Sequence, residues 1–299
     1  MKVAFIGLGQ MGGPMSRRLI DAGFDVTVYD SSPDILADFG ERGAESGADA
    51  ARDADVVVTM LPTGKIVRDV VLGWGSALDH VAQDAVILDM SSSDPLGTRE
   101  LAGELAARGH ALVDAPVSGG MGAAAEGKLT IMVGADQPSA IDRVMPILER
   151  LGSRIVRVGS AGSGHAVKAI NNSIAATIIA ATSEGFVVGE RFGVDPHILL
   201  DVINSSTGRS GVSETIFKSQ MLPRSFKVGF QLGLMTKDVA TAASLAAALD
   251  VDAPVMLSAA AGWRAASNAI GPTEDFSTYL KHVEQQSGGR PISEKAAGL

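Results

Sequence analysis

The sequence predicts an α/β fold: a doubly wound parallel sheet in the first half, followed by an all-helical C-terminal domain. Three observations predict it. Short apolar runs alternate with helical patterns up to residue 158. A glycine-rich turn, Gly7-Leu8-Gly9-Gln10-Met11-Gly12, joins the first apolar run to the first helical pattern. After Gly159 the strand signals stop and long helical periods take over.

Residues 3–6, 26–29, 56–60, 86–88 and 112–113 read as strands, being short, apolar and rich in Val, Ile and Leu. Between them, 11–22, 33–39, 65–71 and 95–108 carry helical patterns. Alternation at this spacing implies βαβ units and a parallel sheet buried on both faces. Right-handed crossovers then wind helices onto both sides. A strand at 129–133, a helix over 138–151 and a strand at 155–158 extend the same domain. The predicted division is 1–162 for this domain, 163–286 for the helical one and a loose tail over 287–299. A long connecting helix spans 163–192, with Gly193 as its C-cap, and Pro196 opens the next helix. Further helices are expected over 197–204, 211–220, 229–249 and 253–268. A site between two such domains is the natural place for a ligand.

The bulk numbers agree with a globular chain of two domains: 299 residues, 46% hydrophobic and 20% charged. Aromatics are only 4%, so the cores must be built from Ala, Val, Ile, Leu and Met. A net charge of −9 argues against nucleic-acid binding, which Lys and Arg drive. The absence of cysteine excludes disulfides, thiolate catalysis and Cys-ligated zinc. The histidines at 80, 110, 165, 197 and 282 show no metal-ligand spacing, so no metal is expected. The apolar stretch at the N-terminus is too short for a signal peptide, and the charge-free piece 169–183 is too short for a membrane span. That piece also contains Asn171, Asn172 and Thr177, which suits a buried helix. A cytoplasmic protein with no membrane partner is expected.

The glycine turn fits the dinucleotide-binding pattern of a Rossmann-type domain. Gly7 allows a tight turn, Gly9 lets the backbone approach pyrophosphate, and Gly12 allows close helix–strand packing. Leu8, Gln10 and Met11 complete the turn, whose helix N-terminus faces the phosphates. Asp30 ends the second strand, where an acidic residue accepts bonds from ribose hydroxyls and repels a 2′-phosphate. No Arg sits beside it, so NAD is expected over NADP. Asp at that place also suits an ordinary strand-end turn.

Four further segments carry a family resemblance. They are Gly9-Gln10-Met11-Gly12-Gly13-Pro14-Met15, Asp114-Ala115-Pro116-Val117-Ser118-Gly119-Gly120, Gly164-His165-Ala166-Val167-Lys168-Ala169-Ile170-Asn171-Asn172, and Gly229-Phe230 followed by Lys237-Asp238. In order and spacing they resemble the β-hydroxyacid dehydrogenases, which include 3-hydroxyisobutyrate dehydrogenase and tartronate semialdehyde reductase. Ser118-Gly119-Gly120 suits a carboxylate through backbone N–H groups and a hydroxyl, and equally suits a plain turn. The resemblance implies that it binds the substrate carboxylate. Lys168 lies in an apolar helix one turn from Gly164, where it either snorkels to water or acts. The resemblance makes it the catalytic acid/base, with Asn172 orienting substrate. Some imine-reducing relatives lack a lysine at this place; this chain keeps it, which favours hydroxy-acid or aldehyde chemistry.

Lys237 is either a solvated helix-face charge or, by resemblance, a second lysine at the substrate and cofactor. Were it close to Lys168, each charge would depress the other's pKa from the free value of ~10.4. Leu61, Pro62 and Ser92 end strands on the ligand side of the sheet, and the resemblance places them, with Phe230, along the cofactor. As turns alone they need no function.

The implied activity is hydride transfer between NAD(H) and a short β-hydroxy acid or its semialdehyde, as in 3-hydroxyisobutyrate dehydrogenase. The alternatives are reduction of tartronate, succinic or glyoxylate-type semialdehydes, and a non-catalytic NAD-binding sensor. A hydrolase is disfavoured, since no G-x-S-x-G elbow occurs. An Ala-rich, apolar helical domain is expected to form a homodimer or homotetramer.

Overall fold

The apolar runs of the first half become strands because each buries both of its faces. In the computed structural model, which describes residues 1–73 and 76–292, β1 (Lys2–Ile6) is typical. Val3 and Phe5 face one core, and Ala4 and Ile6 face another on the opposite side of the sheet. Burial on both faces is why these strands read as continuous apolar runs.

The chain divides into two units, Met1–Lys168 and Ala169–Leu299. The first runs β1, α1 (Gly12–Asp21), β2 (Asp25–Tyr29), α2 (Pro33–Ala37), α3 (Gly47–Ala51), β3 (Val56–Thr59), α4 (Gly64–Leu72), β4 (Val86–Asp89), α5 (Pro95–Ala107) and β5 (Ala111–Asp114). It continues with β6 (Val117–Ser118), α6 (Gly120–Glu126), β7 (Leu129–Gly134), α7 (Pro138–Leu151) and β8 (Gly152–Gly159). The sheet order is β2-β1-β3-β4-β5-β7-β6, with β8 paired to β7. β1 to β5 are parallel.

The parallel sheet expected of the first half is found in β1 to β5, and one edge adds an antiparallel element: β7 runs antiparallel to both β5 and β6. Only residues 119–128 separate β6 from β7, too few for the crossover of about a dozen residues that parallel neighbours need. Neither β6 nor α6 nor α3 was foreseen, each being too short to show a period. Register puts Tyr29, Ile6, Thr59, Asp89 and Asp114 in one row across the C-terminal strand ends. That row positions the site.

The helix α8 (Ser163–Phe192) begins in the first unit and continues into the second. The second unit adds α9 (Pro196–Asn204), a π-helical stretch Val212–Met221, α10 (Leu232–Ala248), α11 (Pro254–Ile270) and α12 (Tyr279–Gln286). Gly193 takes a positive φ of 99° after α8, as a C-cap requires. The core gathers around Trp263, whose ring stacks on Tyr279 and whose Nε1 donates to the Ala176 carbonyl. Ala176 and Ile179, inside the apolar stretch 169–183, belong to this core. Among the described residues, no helix is long and apolar enough to cross a membrane.

Two expectations change here. α10 starts at Leu232 rather than 229, because Gly229 has a φ of 89° and its N–H donates to Asp275. The tail expected to be loose is tied down over its described part. Ile292 is buried, its N–H donates to Glu284, and Arg290 pairs with Glu190. Residues 293–299 of that tail lie outside the described residues.

Candidate active site

The glycine turn owes its shape to backbone contacts. Gly7 has a φ of 98°, and a Cβ there would lie 2.3 Å from the Met60 carbonyl oxygen. A Cβ on Gly12 would lie 1.9 Å from the Gly7 oxygen, so α1 packs directly on the turn. A Cβ on Gly9 would meet nothing within 4 Å. No side chain caps the N-terminus of α1. An open side at Gly9 beside an uncapped helix start fits a pyrophosphate.

Asp30 does more than was foreseen. One carboxylate oxygen accepts the Leu8 N–H at 2.7 Å, and the other accepts the Ser32 N–H at 2.9 Å. The same side chain therefore braces the glycine turn and begins the turn after β2. Lone pairs remain on both oxygens for ribose hydroxyls.

Asp89 performs a similar task at the end of β4, three strands along the sheet from β2. It is 1% exposed and accepts bonds from Thr59 Oγ1, the Ser91 N–H and Ser93 Oγ. Ser91 Oγ in turn accepts the Leu61 N–H at 2.9 Å. So the segments carrying Leu61, Pro62 and Ser92 are tied together at the strand ends. Sequence reading named those three and missed Asp89.

Asp114 ends β5, four residues before Ser118, and is fully buried. Its oxygens accept the Gly162 and His165 N–H groups at 2.8 and 2.9 Å. Burial raises its pKa above the usual 3.8, against the lowering influence of His165 and the two N–H bonds. The unfolded chain ionises first, so stability is complete below the unfolded pKa and is lost as pH rises through the higher folded pKa. Asp114→Asn cannot ionise. The excess Tm of the wild type over this variant should therefore be larger near pH 4 than at pH 7, as read by thermal unfolding. A gap that widens with pH would contradict the assignment.

Ser118 ends β6 opposite Thr130 and is half-buried. Gly119 and Gly120 follow with φ of 138° and 73°, and turn the chain into α6. A Cβ on Gly119 would crowd Ala123 at 2.7 Å, whereas Gly120 borders open space. Lys168 is half-buried in the second turn of α8, in the first unit, and Asn172 follows it by four residues in the same helix.

In the second unit, the buried Asn172 donates from Nδ2 to Asp238 Oδ2 at 2.7 Å. Lys237 Nζ is 3.4 Å from Asp238 Oδ1, with its side chain 27% exposed. Asp238, itself buried, thus holds Asn172 and Lys237 together. Its role was missed because nothing in the Lys237-Asp238 pair reveals a partner 66 residues away. Phe230 packs edge-on to Phe276, its ring centroid 6.1 Å away. Among the described residues, no cluster of His or acidic side chains is arranged for a metal.

A glycine turn closing the first strand of a parallel sheet, braced by a strand-end aspartate, defines a dinucleotide-binding protein. Residues 2–159 match the family model described as the NAD binding domain of 6-phosphogluconate dehydrogenase. Residues 162–283 match that described as NAD-binding of NADP-dependent 3-hydroxyisobutyrate dehydrogenase. The chain is 36% identical over 296 residues to 2-(hydroxymethyl)glutarate dehydrogenase of Eubacterium barkeri, covering 96% of each. It is 32% identical to the NAD-dependent L-serine dehydrogenase of Pseudomonas aeruginosa, covering 96% of this chain and 99% of that one. Among solved structures it resembles the Mycobacterium tuberculosis 3-hydroxyisobutyrate dehydrogenase with L-serine. The TM-score is 0.86 at 33% identity, over 94% of this chain and 98% of the other. The chain belongs to the β-hydroxyacid dehydrogenase family, and is therefore a nicotinamide-dependent oxidoreductase.

Proposed function

We propose that the protein is an NAD-dependent dehydrogenase of 2-substituted 3-hydroxypropanoates, interconverting the primary alcohol and its semialdehyde. One observation carries this. The relatives named above act on L-serine, 3-hydroxyisobutyrate and 2-(hydroxymethyl)glutarate, which share one unit, a CH2OH on the carbon next to a carboxylate.

Lys168 is the acid/base. As a neutral amine it takes the proton of the substrate hydroxyl while the carbon's hydride leaves; in reverse its ammonium returns the proton to the aldehyde oxygen. The bound nicotinamide supplies the acceptor or donor of that hydride. Ser118, Gly119 and Gly120 hold the carboxylate. Asn172 and Lys237 orient the substrate, and Asp238 holds both in place. Gly7 to Gly12, Asp30, Leu61, Pro62, Ser92, Phe230 and Lys237 serve the cofactor. Reduction of tartronate, succinic or glyoxylate-type semialdehydes is the neighbouring reading. A non-catalytic sensor is disfavoured by the dehydrogenase activities named in the relatives. On this reading the protein is cytoplasmic and works as a homodimer or homotetramer. Phe192, 86% exposed, with Val188, Ile198 and Val202, leaves apolar area on α8 and α9 that a second copy would cover.

The test is a panel of L-serine, 3-hydroxyisobutyrate, 2-(hydroxymethyl)glutarate and short semialdehydes, assayed with NAD(H) and NADP(H) in parallel. Catalytic efficiency should be highest on the CH2OH acids. It should favour NAD by about tenfold or more, equivalent to about 1.4 kcal/mol from the Asp30 charge against a 2′-phosphate. Higher efficiency with NADP would overturn the cofactor assignment, and activity confined to semialdehydes lacking this unit would overturn the substrate class.

A further inference from the structure

Asp89, Asp114 and His165 form a buried cluster for which the proposed chemistry has no direct use. All three are at most 1% exposed. His165 lies in the first turn of α8. Its Nδ1 is within hydrogen-bond distance of Thr98 Oγ1, at 2.8 Å, and that hydroxyl also lies 2.9 Å from the Asp94 carbonyl. Its Nε2 edge is 3.6 Å from Asp89 Oδ2. Its backbone N–H and that of Gly162 end on Asp114.

The fit around Asp114 is tight. A Cβ on Gly134 would lie 2.6 Å from Asp114 Oδ1, and one on Gly164 would lie 2.8 Å from Oδ2. Nearby, the Ala161 N–H donates to Asp136, and Arg99 donates to the Ala161 carbonyl. The start of α8 is therefore seated on the same row of strand ends that carries the Leu61 and Ser91–Ser93 segments. Lys168 stands three residues beyond His165.

We propose that Asp114 and His165 are positioning residues for the reaction: they lock the first turn of α8 onto the strand ends and thereby fix the place of the Lys168 amine. This rests on the reading of Lys168 as the acid/base. Neither side chain needs to touch substrate. A helix start free to shift by an ångström would misplace the amine relative to the reacting hydroxyl, at a cost of about 100-fold in rate.

The experiment uses the full chain and two variants, Asp114→Asn and His165→Asn, so that one survives if the other fails to fold. His165→Asn retains a polar atom near the place of Nδ1 and removes the edge facing Asp89. Amide hydrogen exchange is read together with turnover of L-serine and NAD. Protection at 162–168 should fall by about tenfold or more while residues 2–6 keep theirs. kcat should fall by about 30-fold or more, with KM and the NADH Kd moving by less than about threefold. His165→Gln, which reaches back towards Asp89, should recover most of the kcat. Unchanged exchange and kcat in a folded variant of an active enzyme overturn the proposal alone. Losses of kcat and NADH affinity that track the loss of Tm overturn it too, because they report general destabilisation. A wild type inert towards the whole panel sinks the functional reading first and this proposal with it.

Discussion

Lys168→Met should lower kcat about 1,000-fold or more while leaving the NADH Kd within about twofold. General acid–base catalysis is worth about 100- to 10,000-fold, and 1,000-fold corresponds to about 4 kcal/mol of barrier. Methionine keeps an unbranched chain and high helix propensity, but it can neither take nor return a proton. The fold should tolerate it. The first turn of α8 is held by Asp114 through backbone N–H groups. The glycine turn is shaped by Leu8, Asp30 and backbone contacts near Met60. Steady-state turnover of the best panel substrate and NADH fluorescence titration separate the two quantities. Turnover near the wild-type rate would remove Lys168 from the chemistry, and lost NADH binding would mean that it serves the cofactor instead.

The parts of the site that could be read in the sequence are those whose chemistry is local. Gly7, Gly9 and Gly12 lie within one turn and adjoin a strand and a helix, so spacing and context suffice. The helical period over 163–192 shows itself because Ala, Val and Ile recur in it for thirty residues. What was missed depends on distance along the chain. Asp114 binds the His165 N–H across 51 residues, and Asn172 binds Asp238 across 66. Nothing at Asp114 itself distinguishes an anchor for a helix from the start of a turn.

Asp30 shows a subtler limit. Its place after β2 was legible, and both readings of it, turn residue and ribose acceptor, fit its geometry. The bond to Leu8 that joins it to the glycine turn came only from the pairing of β1 with β2. The antiparallel edge was hidden for a similar reason. β6 has two residues, too few to carry a period, and its direction follows from the short return through α6.

Gly12→Ala and Gly9→Ala should fail in opposite ways, although both sit in the same six-residue turn. At Gly12 the added methyl would stand 1.9 Å from the Gly7 carbonyl oxygen and 2.9 Å from its carbon. Those are backbone atoms, with no flexible end to yield. Relief requires α1 to move off β1, where Met15 and Leu19 are packed in the core shared with Val3 and Phe5. Overpacking ordinarily costs about 1–3 kcal/mol, and a backbone collision this close belongs at or above the upper end. Gly12→Ala should therefore lower Tm strongly and abolish NADH binding as a consequence. At Gly9 the methyl meets nothing within 4 Å, so Tm should stay within a degree or two (about 0.5 kcal/mol) of the wild type. Yet that open space is where the backbone must approach the pyrophosphate, and the methyl would hold it away. NADH affinity should fall by about 10- to 100-fold, or about 1.4–2.8 kcal/mol. Thermal unfolding and NADH titration of both variants decide the matter. Wild-type affinity in Gly9→Ala would show that the cofactor does not lie against Gly9. A Tm loss there equal to that of Gly12→Ala would show that the turn lacks the open side seen in the structure.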